Sequence, residues 1–281
     1  MTAYLFSVDL EDPRDTAVNG AQYPDRVPHN TERLLTLLQQ QRAKTTFFVV
    51  GEIARRHPQL IRSIASEGHE IACHTTSHVP LTQRTPEQFR ADLEQNIALL
   101  KAAGAQDICG FRAPIFSLTQ ATPWAYGVLK TLGFAYSSSV LPAPNPLYGW
   151  PEHGAAVRDH DGVVEIPVTL LPVLRVPAGG VYFRVLPRFL LSRWFAARKK
   201  QNAPVVGYLH PYDIDTDDAR LTFAGFENKP LYNRLMYVGR GSVFAKLQAV
   251  LDLGFDILPY RDWVAATGLA ALAGPQAKIP T

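Results

Sequence analysis

The chain has 281 residues, 47% of them hydrophobic and 19% charged, with a formal net charge of +3. That length can bury a substantial core and fits two ordinary domains or one α/β barrel. The charge is mild and no arginine-rich arm occurs, which argues against nucleic acid as a partner, and no run reaches the ~20 apolar residues that cross a bilayer.

Tyr4 to Val8 is a short apolar run that ends in acids. Met1 to Asp9 lacks the charged start and long apolar stretch of a secretory signal, so a cytoplasmic protein is expected. A polar loop with Pro13, Gly20, Pro24 and Pro28 follows, then a helix with Leu34, Leu35, Leu37 and Leu38 on one face. Thr45 to Val50 is β-branched and aromatic and reads as a buried strand. Pro58 to Glu67 is helical and stops at Gly68. His69 to Cys73 is the next strand. Thr85 reads as an N-cap, with Pro86 opening the helix and Gln88 closing a capping box. Phe89, Leu93, Ile97 and Leu100 form its apolar stripe. Asp107 to Phe111 is a strand, Trp124 to Leu132 a helix ended by Gly133, and Phe134 to Tyr136 begins a strand. Val163 to Val168 and Val205 to Leu209 are strands. Ser242 to Leu253 is a helix closed by Gly254, and Phe255 to Leu258 is the last strand. Cys73 and Cys109 sit in apolar runs as small core residues, so no disulfide framework is indicated.

Alternating strands and helices predict an α/β fold: a distorted (β/α) barrel of seven or eight parallel strands. No linker splits the chain, so residues 1–270 are expected to form one domain and 271–281 a fraying tail. In such a barrel, functional residues collect where strands end. The first strand ends in Asp9-Leu10-Glu11-Asp12 and the strand at His69 in His74-Thr75-Thr76-Ser77-His78. The strand at Asp107 ends in Arg112-Ala113-Pro114, and that at Val205 in His210-Pro211-Tyr212-Asp213. Two imidazoles and a carboxylate make a common divalent-metal site with open positions for water. A second carboxylate can act as base, an arginine can hold it ionised, and a third histidine can protonate a leaving nitrogen. His29, His57, His69, His153 and His160 read as structural.

These segments resemble the motifs of the polysaccharide deacetylase family, also called the NodB-homology or carbohydrate esterase family four group. Gly68 to His78 is similar to its H-[ST]-x-x-H motif, Phe111 to Pro114 to its arginine–proline motif, and Leu209-His210 to its leucine–histidine pair. Thr46 to Val49 matches a structural strand. The resemblance implies metal-dependent removal of an N-acetyl group from an amino sugar, releasing acetate. It makes Asp9 the base, His74 and His78 metal ligands, Arg112 the group that orients Asp9, and His210 the general acid. A backbone N–H near Arg112 would join the metal in stabilising the oxyanion. Zinc suits the ligands, with cobalt, nickel, manganese and iron as alternatives.

Two departures stand out. The usual Asp-Asp-Gly is replaced by Asp9-Leu10-Glu11-Asp12, so the ligand carboxylate is Asp12 or Glu11, with Asp12 preferred as the shorter acid. This form resembles a subgroup associated with bacterial surface-polysaccharide assembly. Ser137 stands where an aspartate would support the catalytic histidine, leaving Glu165 or Asp213 as the partner of His210. Candidate substrate contacts are Pro114, Ser138, Tyr182 and Tyr212, and Trp124, Tyr148, Trp150 and Tyr232 are further stacking candidates. The substrate would be an N-acetylated saccharide, free, lipid-linked or nucleotide-linked. The basic amphipathic stretch Leu186 to Lys200 either covers the barrel or rests on a membrane, peripheral at the inner face. Hydrolysis of another C–N bond, as in a formamide or cyclic amide, and a catalytically weak carbohydrate-binding protein are the alternative functions.

Overall fold

The computed structural model describes residues 2–145, 147–172, 174–201, 203–223 and 229–269. The expected tail, 271–281, lies outside them. β1 (Ala3–Leu10) leads to α1 (Val27–Gln40), β2 (Thr46–Val49), α2 (Gly51–Arg56), α3 (Pro58–Ser66) and β3 (Glu70–Cys73). Then come α4 (Pro86–Ala102), β4 (Gly110–Phe111), α5 (Ala125–Thr131) and β5 (Tyr136–Ser137). Here the alternation breaks. β6 (Arg158–His160) and β7 (Val163–Glu165) form an antiparallel pair, and β8 (Leu170–Leu171) and β9 (Val176–Pro177) form another. α6 (Gly180–Val185), α7 (Arg188–Lys199), β10 (Val205–Leu209), α8 (Pro230–Leu235), α9 (Val243–Leu251), β11 (Asp256–Ile257) and α10 (Tyr260–Thr267) complete the chain.

The sheet runs β10-β1-β2-β3-β4-β5-β7-β6, parallel up to β7, and β11 adds to the start of β1. It curls strongly. The free edge of β10 meets the connection after β7, where Thr169 N donates to Val206 O at 3.1 Å and Val206 N donates to Thr169 Oγ1 at 2.8 Å. Curling shortens the ladders. The expected strands at 107–111 and 163–168 therefore keep only Gly110–Phe111 and Val163–Glu165 in regular pairing.

Side chains alternate across a strand, and this parity organises the molecule. Tyr4, Phe6, Val8 and Leu10 face the helices, in one large cluster with Phe47, Val49, Ile71 and Cys73. Leu5, Phe48, Ala72, Tyr136, Val164 and Val206 form the interior. Its floor is closed by the start of α10. Tyr260 N donates to Thr46 Oγ1 at 2.9 Å and Arg261 N to Glu70 Oε2 at 3.1 Å, so buried side chains of two strands cap a helix that has none of its own. Glu70 also accepts from Tyr136 Oη at 2.9 Å. Burial pushes its carboxyl up, against the pull of those donors.

The capping box at Thr85 and Gln88 is formed. Gly68 follows α3 at φ 83°, a left-handed position where glycine carries no Cβ penalty. α7 covers the barrel through Leu191 and Phe195. Trp124 packs on Phe89, ring centroids 5.7 Å apart, and so is a core residue.

Candidate active site

Parity on β1 places Leu5, Ser7 and Asp9 inward, and the next residue of that series is Glu11. Its Oε2 lies 2.6 Å from His78 Nε2 and 3.7 Å from His74 Nε2. The three donor atoms lie within 4.8 Å of one another. Asp12 has the opposite parity and is turned away. It accepts from Arg14 Nε at 3.0 Å and Arg14 Nη2 at 2.7 Å, and it pairs with Arg56 Nη2 at 3.0 Å. The preference for Asp12 as the third member of the cluster is therefore corrected to Glu11. A longer carboxylate on the right side of the strand reaches the histidines, and a shorter one on the wrong side cannot.

The residues fit a divalent cation. His74 Nδ1 lies 2.8 Å from the Arg112 carbonyl, which can only accept, so the proton sits on Nδ1 and the Nε2 lone pair faces Glu11. His78 Nε2 is buried and makes no hydrogen bond, although the Glu11 oxygen is close. Burial alone would raise the Glu11 pKa, but His78, His210 and His74 outweigh it and hold the carboxylate well below its usual range. The segment between the histidines is pinned from outside. Asp92 of α4 accepts from Thr76 N at 2.7 Å, Asn96 of α4 donates to Thr75 O, and Gly51 N at the start of α2 donates to Thr75 O at 2.9 Å. These anchors hold Thr75 and His78 at φ 63° and 55°.

Arg112, the next inward residue after β4, is fully buried, and all five of its N–H groups have acceptors. Nη1 donates to Asp9 Oδ1 at 2.6 Å and Ser7 Oγ at 2.7 Å. Nε donates to Ser138 O at 2.9 Å, and Nη2 to Ser138 Oγ at 3.0 Å and Tyr260 Oη at 2.9 Å. The guanidinium also lies 4.0 Å from the Phe48 ring centre. Ser138, expected at the substrate, is instead buried and committed to Arg112. Pro114 is buried as well, and its turn exposes Ile115 at φ 55°. The backbone N–H groups nearest Arg112 are occupied: Arg112 N donates to Cys73 O at 3.0 Å and Ala113 N to Ser139 Oγ at 2.9 Å. Neither is aimed at a ligand.

His210 follows β10 on the inward series Val206, Tyr208, His210. Its Nε2 is 3.7 Å from Glu11 Oε1. Asp213 Oδ2 takes both the backbone N–H, at 2.9 Å, and Nδ1, at 2.8 Å. Burial lowers the imidazole's pKa, but Glu11 with its full charge and Asp213 raise it to about 9. Glu165 does not support His210. It sits outward on β7 and accepts from Ser139 N at 2.8 Å, Val140 N at 2.9 Å and Tyr126 Oη at 3.3 Å. Behind Asp213 stands a residue that sequence reasoning did not single out for this role. Arg184 Nε lies 2.7 Å from Asp213 Oδ1, and Arg184 Nη1 donates to the carbonyls of Leu235, Met236 and Val238.

Tyr212 stacks on His210 with centroids 4.6 Å apart and donates to Glu11 Oε1 at 3.0 Å, so it braces the cluster. Tyr182 is half-buried on α6, next to a Gly179–Gly180 turn that packs on the Tyr208 ring. Tyr208 lies 5.0 Å from Phe116 and 5.5 Å from His210, centroid to centroid, and forms a wall that strand parity could have identified.

Residues 20–136 match the polysaccharide deacetylase family, and residues 138–258 match a domain of unknown function, DUF3473. A chitooligosaccharide deacetylase of Rhizobium leguminosarum bv. trifolii is 40% identical over 76 residues, 27% of this chain and 35% of that protein, so the match spans about a third of the relative. A polysaccharide deacetylase homologue from Mycobacterium smegmatis superposes with a TM-score of 0.66 at 21% identity, over 100% of this chain and 94% of that one. The family 4 carbohydrate esterase of Streptomyces lividans, solved with acetate, gives 0.52 at 14% identity over 95% and 90% of the two chains. Puue allantoinase gives 0.59 at 16% identity over 94% and 90%. Residues 20–136 are thus similar in sequence to polysaccharide deacetylases, and the curled, mostly parallel sheet is similar in fold to that of a family 4 carbohydrate esterase.

Proposed function

We propose that the protein is a metal-dependent hydrolase that removes the N-acetyl group from an amino sugar of a bacterial surface polysaccharide or its precursor. The observation that carries this reading is the convergence, on one rim, of Glu11, His74 and His78 with Asp9–Arg112 on one side and His210–Asp213 on the other. Glu11, His74 and His78 would hold a divalent cation, zinc by ligand type. When bound, it supplies a Lewis acid beside the acetamide carbonyl and an acidified water.

The chain's own groups do the rest. Asp9, aimed by Arg112, accepts a proton from the attacking water. His210, oriented through Nδ1 by Asp213, presents Nε2 to the leaving nitrogen and donates the proton that nitrogen needs. The C–N bond breaks, and acetate and a free amine result. Tyr208 and Phe116 wall the rim between Arg112 and His210.

The deacetylase named for chitooligosaccharides among the relatives supports an N-acetylated sugar as substrate. A second reading, hydrolysis of a formamide or cyclic amide, uses the same groups and is supported by the superposition on an allantoinase. Acetate release from N-acetylhexosamine oligosaccharides and nucleotide-linked sugars, with zinc or cobalt added, tests the first. Metal-dependent release that His74→Ala abolishes is expected. Stoichiometric metal with release only from formamides or cyclic amides would select the second reading, and failure to bind metal would overturn both.

A further inference from the structure

α8 is a helix with no buried residue. It exposes Leu231 and Leu235, one turn apart, at 75% and 41%. Arg184 donates to three carbonyls at the end of α8, which holds that end against the α6–α7 corner. This corner exposes Val185, and Phe189 at 69%. Phe189 belongs to the outward series Phe189, Arg193 and Ala197 of α7, opposite Leu191 and Phe195.

The chain segments that carry these apolar side chains are basic. Residues 186–212 contain five Lys or Arg and no acid, and residues 228–251 contain four and no acid. Of these nine, Arg240 and Lys246 are buried and Arg240 pairs with Asp218 at 3.0 Å, which leaves seven that are not buried. Arg188, Arg193 and Arg234 are exposed. Exposed apolar side chains amid cations on short surface helices suit a membrane interface, where the rings enter the acyl boundary and the guanidinium groups meet anionic headgroups.

We propose that the α6–α7 corner and α8 dock on an anionic phospholipid bilayer, with Phe189, Leu231 and Leu235 entering it and Arg188, Arg193 and Arg234 at the headgroups. The surface adjoins the chemistry through Arg184, which joins α8 to Asp213 and thus to His210. A bilayer there would present a lipid-borne saccharide to the rim, a link that rests on the deacetylase reading, whereas the surface itself does not.

The test is co-sedimentation with vesicles of phosphatidylcholine alone and with about 30 mol % phosphatidylglycerol. The full chain is expected to pellet with the anionic vesicles only, and raised salt should release it. Phe189→Ser with Leu231→Ser should weaken partition about tenfold, the loss of one buried apolar side chain's contribution or more. The circular dichroism spectrum and turnover of a soluble substrate should not change. No pelleting with anionic vesicles, or equal pelleting of the variant, overturns the proposal. A dimer in light scattering that the double variant dissolves would assign the patch to a second copy and overturn it too. Vesicle binding is read without turnover, so a chain inactive on every sugar still reports on this surface.

Discussion

His74 and His78 on one wall of the rim and His210 on the other are held by different means. The first pair extends a strand buried in mid-sheet. Its loop is tied by Asp92 and Asn96 of α4 and by the start of α2, all hydrogen-bonding to its backbone. His210 stands on a short turn. Its ring is set by one carboxylate three residues on, and that carboxylate pairs with Arg184, from a helix earlier in the chain. A wall of backbone anchors fixes where two lone pairs meet, as a metal site requires. A wall built on a carboxylate and a guanidinium orients one ring and its proton, as an acid catalyst requires.

The largest expected effect separates the two acids after β1. Glu11→Gln should abolish stoichiometric metal, measured by elemental analysis, and cut acetate release on the order of a thousandfold or more. Asp12→Asn should keep the metal and cost about 2 kcal/mol of folding stability, because Arg14 and Arg56 lose a buried partner. If Asp12→Asn lost the metal instead, the parity argument would be wrong.

Breaking the second wall should leave the first intact. His210→Ala is expected to lower kcat by roughly 10²–10⁴ with metal retained. Arg184→Met should lower kcat by about 10–100-fold with KM unchanged, since it reaches the reacting groups only through Asp213. An Arg184 variant with full kcat would reduce that residue to packing. Asp92→Ala should do the reverse and weaken metal affinity about tenfold in a chelator competition, with the acid step unaffected once metal saturates.

The smallest effect compares the two ends of β3. His69, just before the strand, accepts from Thr45 N at 3.2 Å, packs edge-on against Phe47, and is pushed down to about 4 by burial and Lys44. The unfolded chain takes up this proton near pH 6.5 and the folded chain only near 4. Stability is therefore complete above the upper value and falls as pH drops toward the lower. Between pH 7 and pH 5 the loss from this group should be about 2 kcal/mol. Urea unfolding at both pH values should show that loss in the wild type and a loss smaller by that amount in His69→Gln.

Much of this site was legible in the order of residues. His74, His78, Arg112 and His210 each follow a strand-like run, and a parallel sheet must bring such positions to one rim. Glu11 was legible too, through the alternation Leu5, Ser7, Asp9, Glu11, and so was Tyr208, two residues before His210. The same alternation sets Glu165 outward, away from His210. Asp12 was misread against that alternation, and Ser138 because its partner lies far along the chain. Ser138 looked available to a substrate because nothing local shows that Arg112 takes both its oxygens. β6 and the antiparallel β8–β9 pair, without the long apolar runs of buried strands, gave too weak a pattern.

The local pattern by itself determined the strands of the parallel sheet, which face of each is inward and which polar residues stand at the strand ends, because backbone alternation and helix capping are short-range. Only the tertiary structure decided that Ser138 serves Arg112, that Arg184 backs Asp213 and that α8 lies against the α6–α7 corner. Those choices depend on where buried charges find partners once the sheet has curled, and a buried charge is tolerated only where such a partner is within reach.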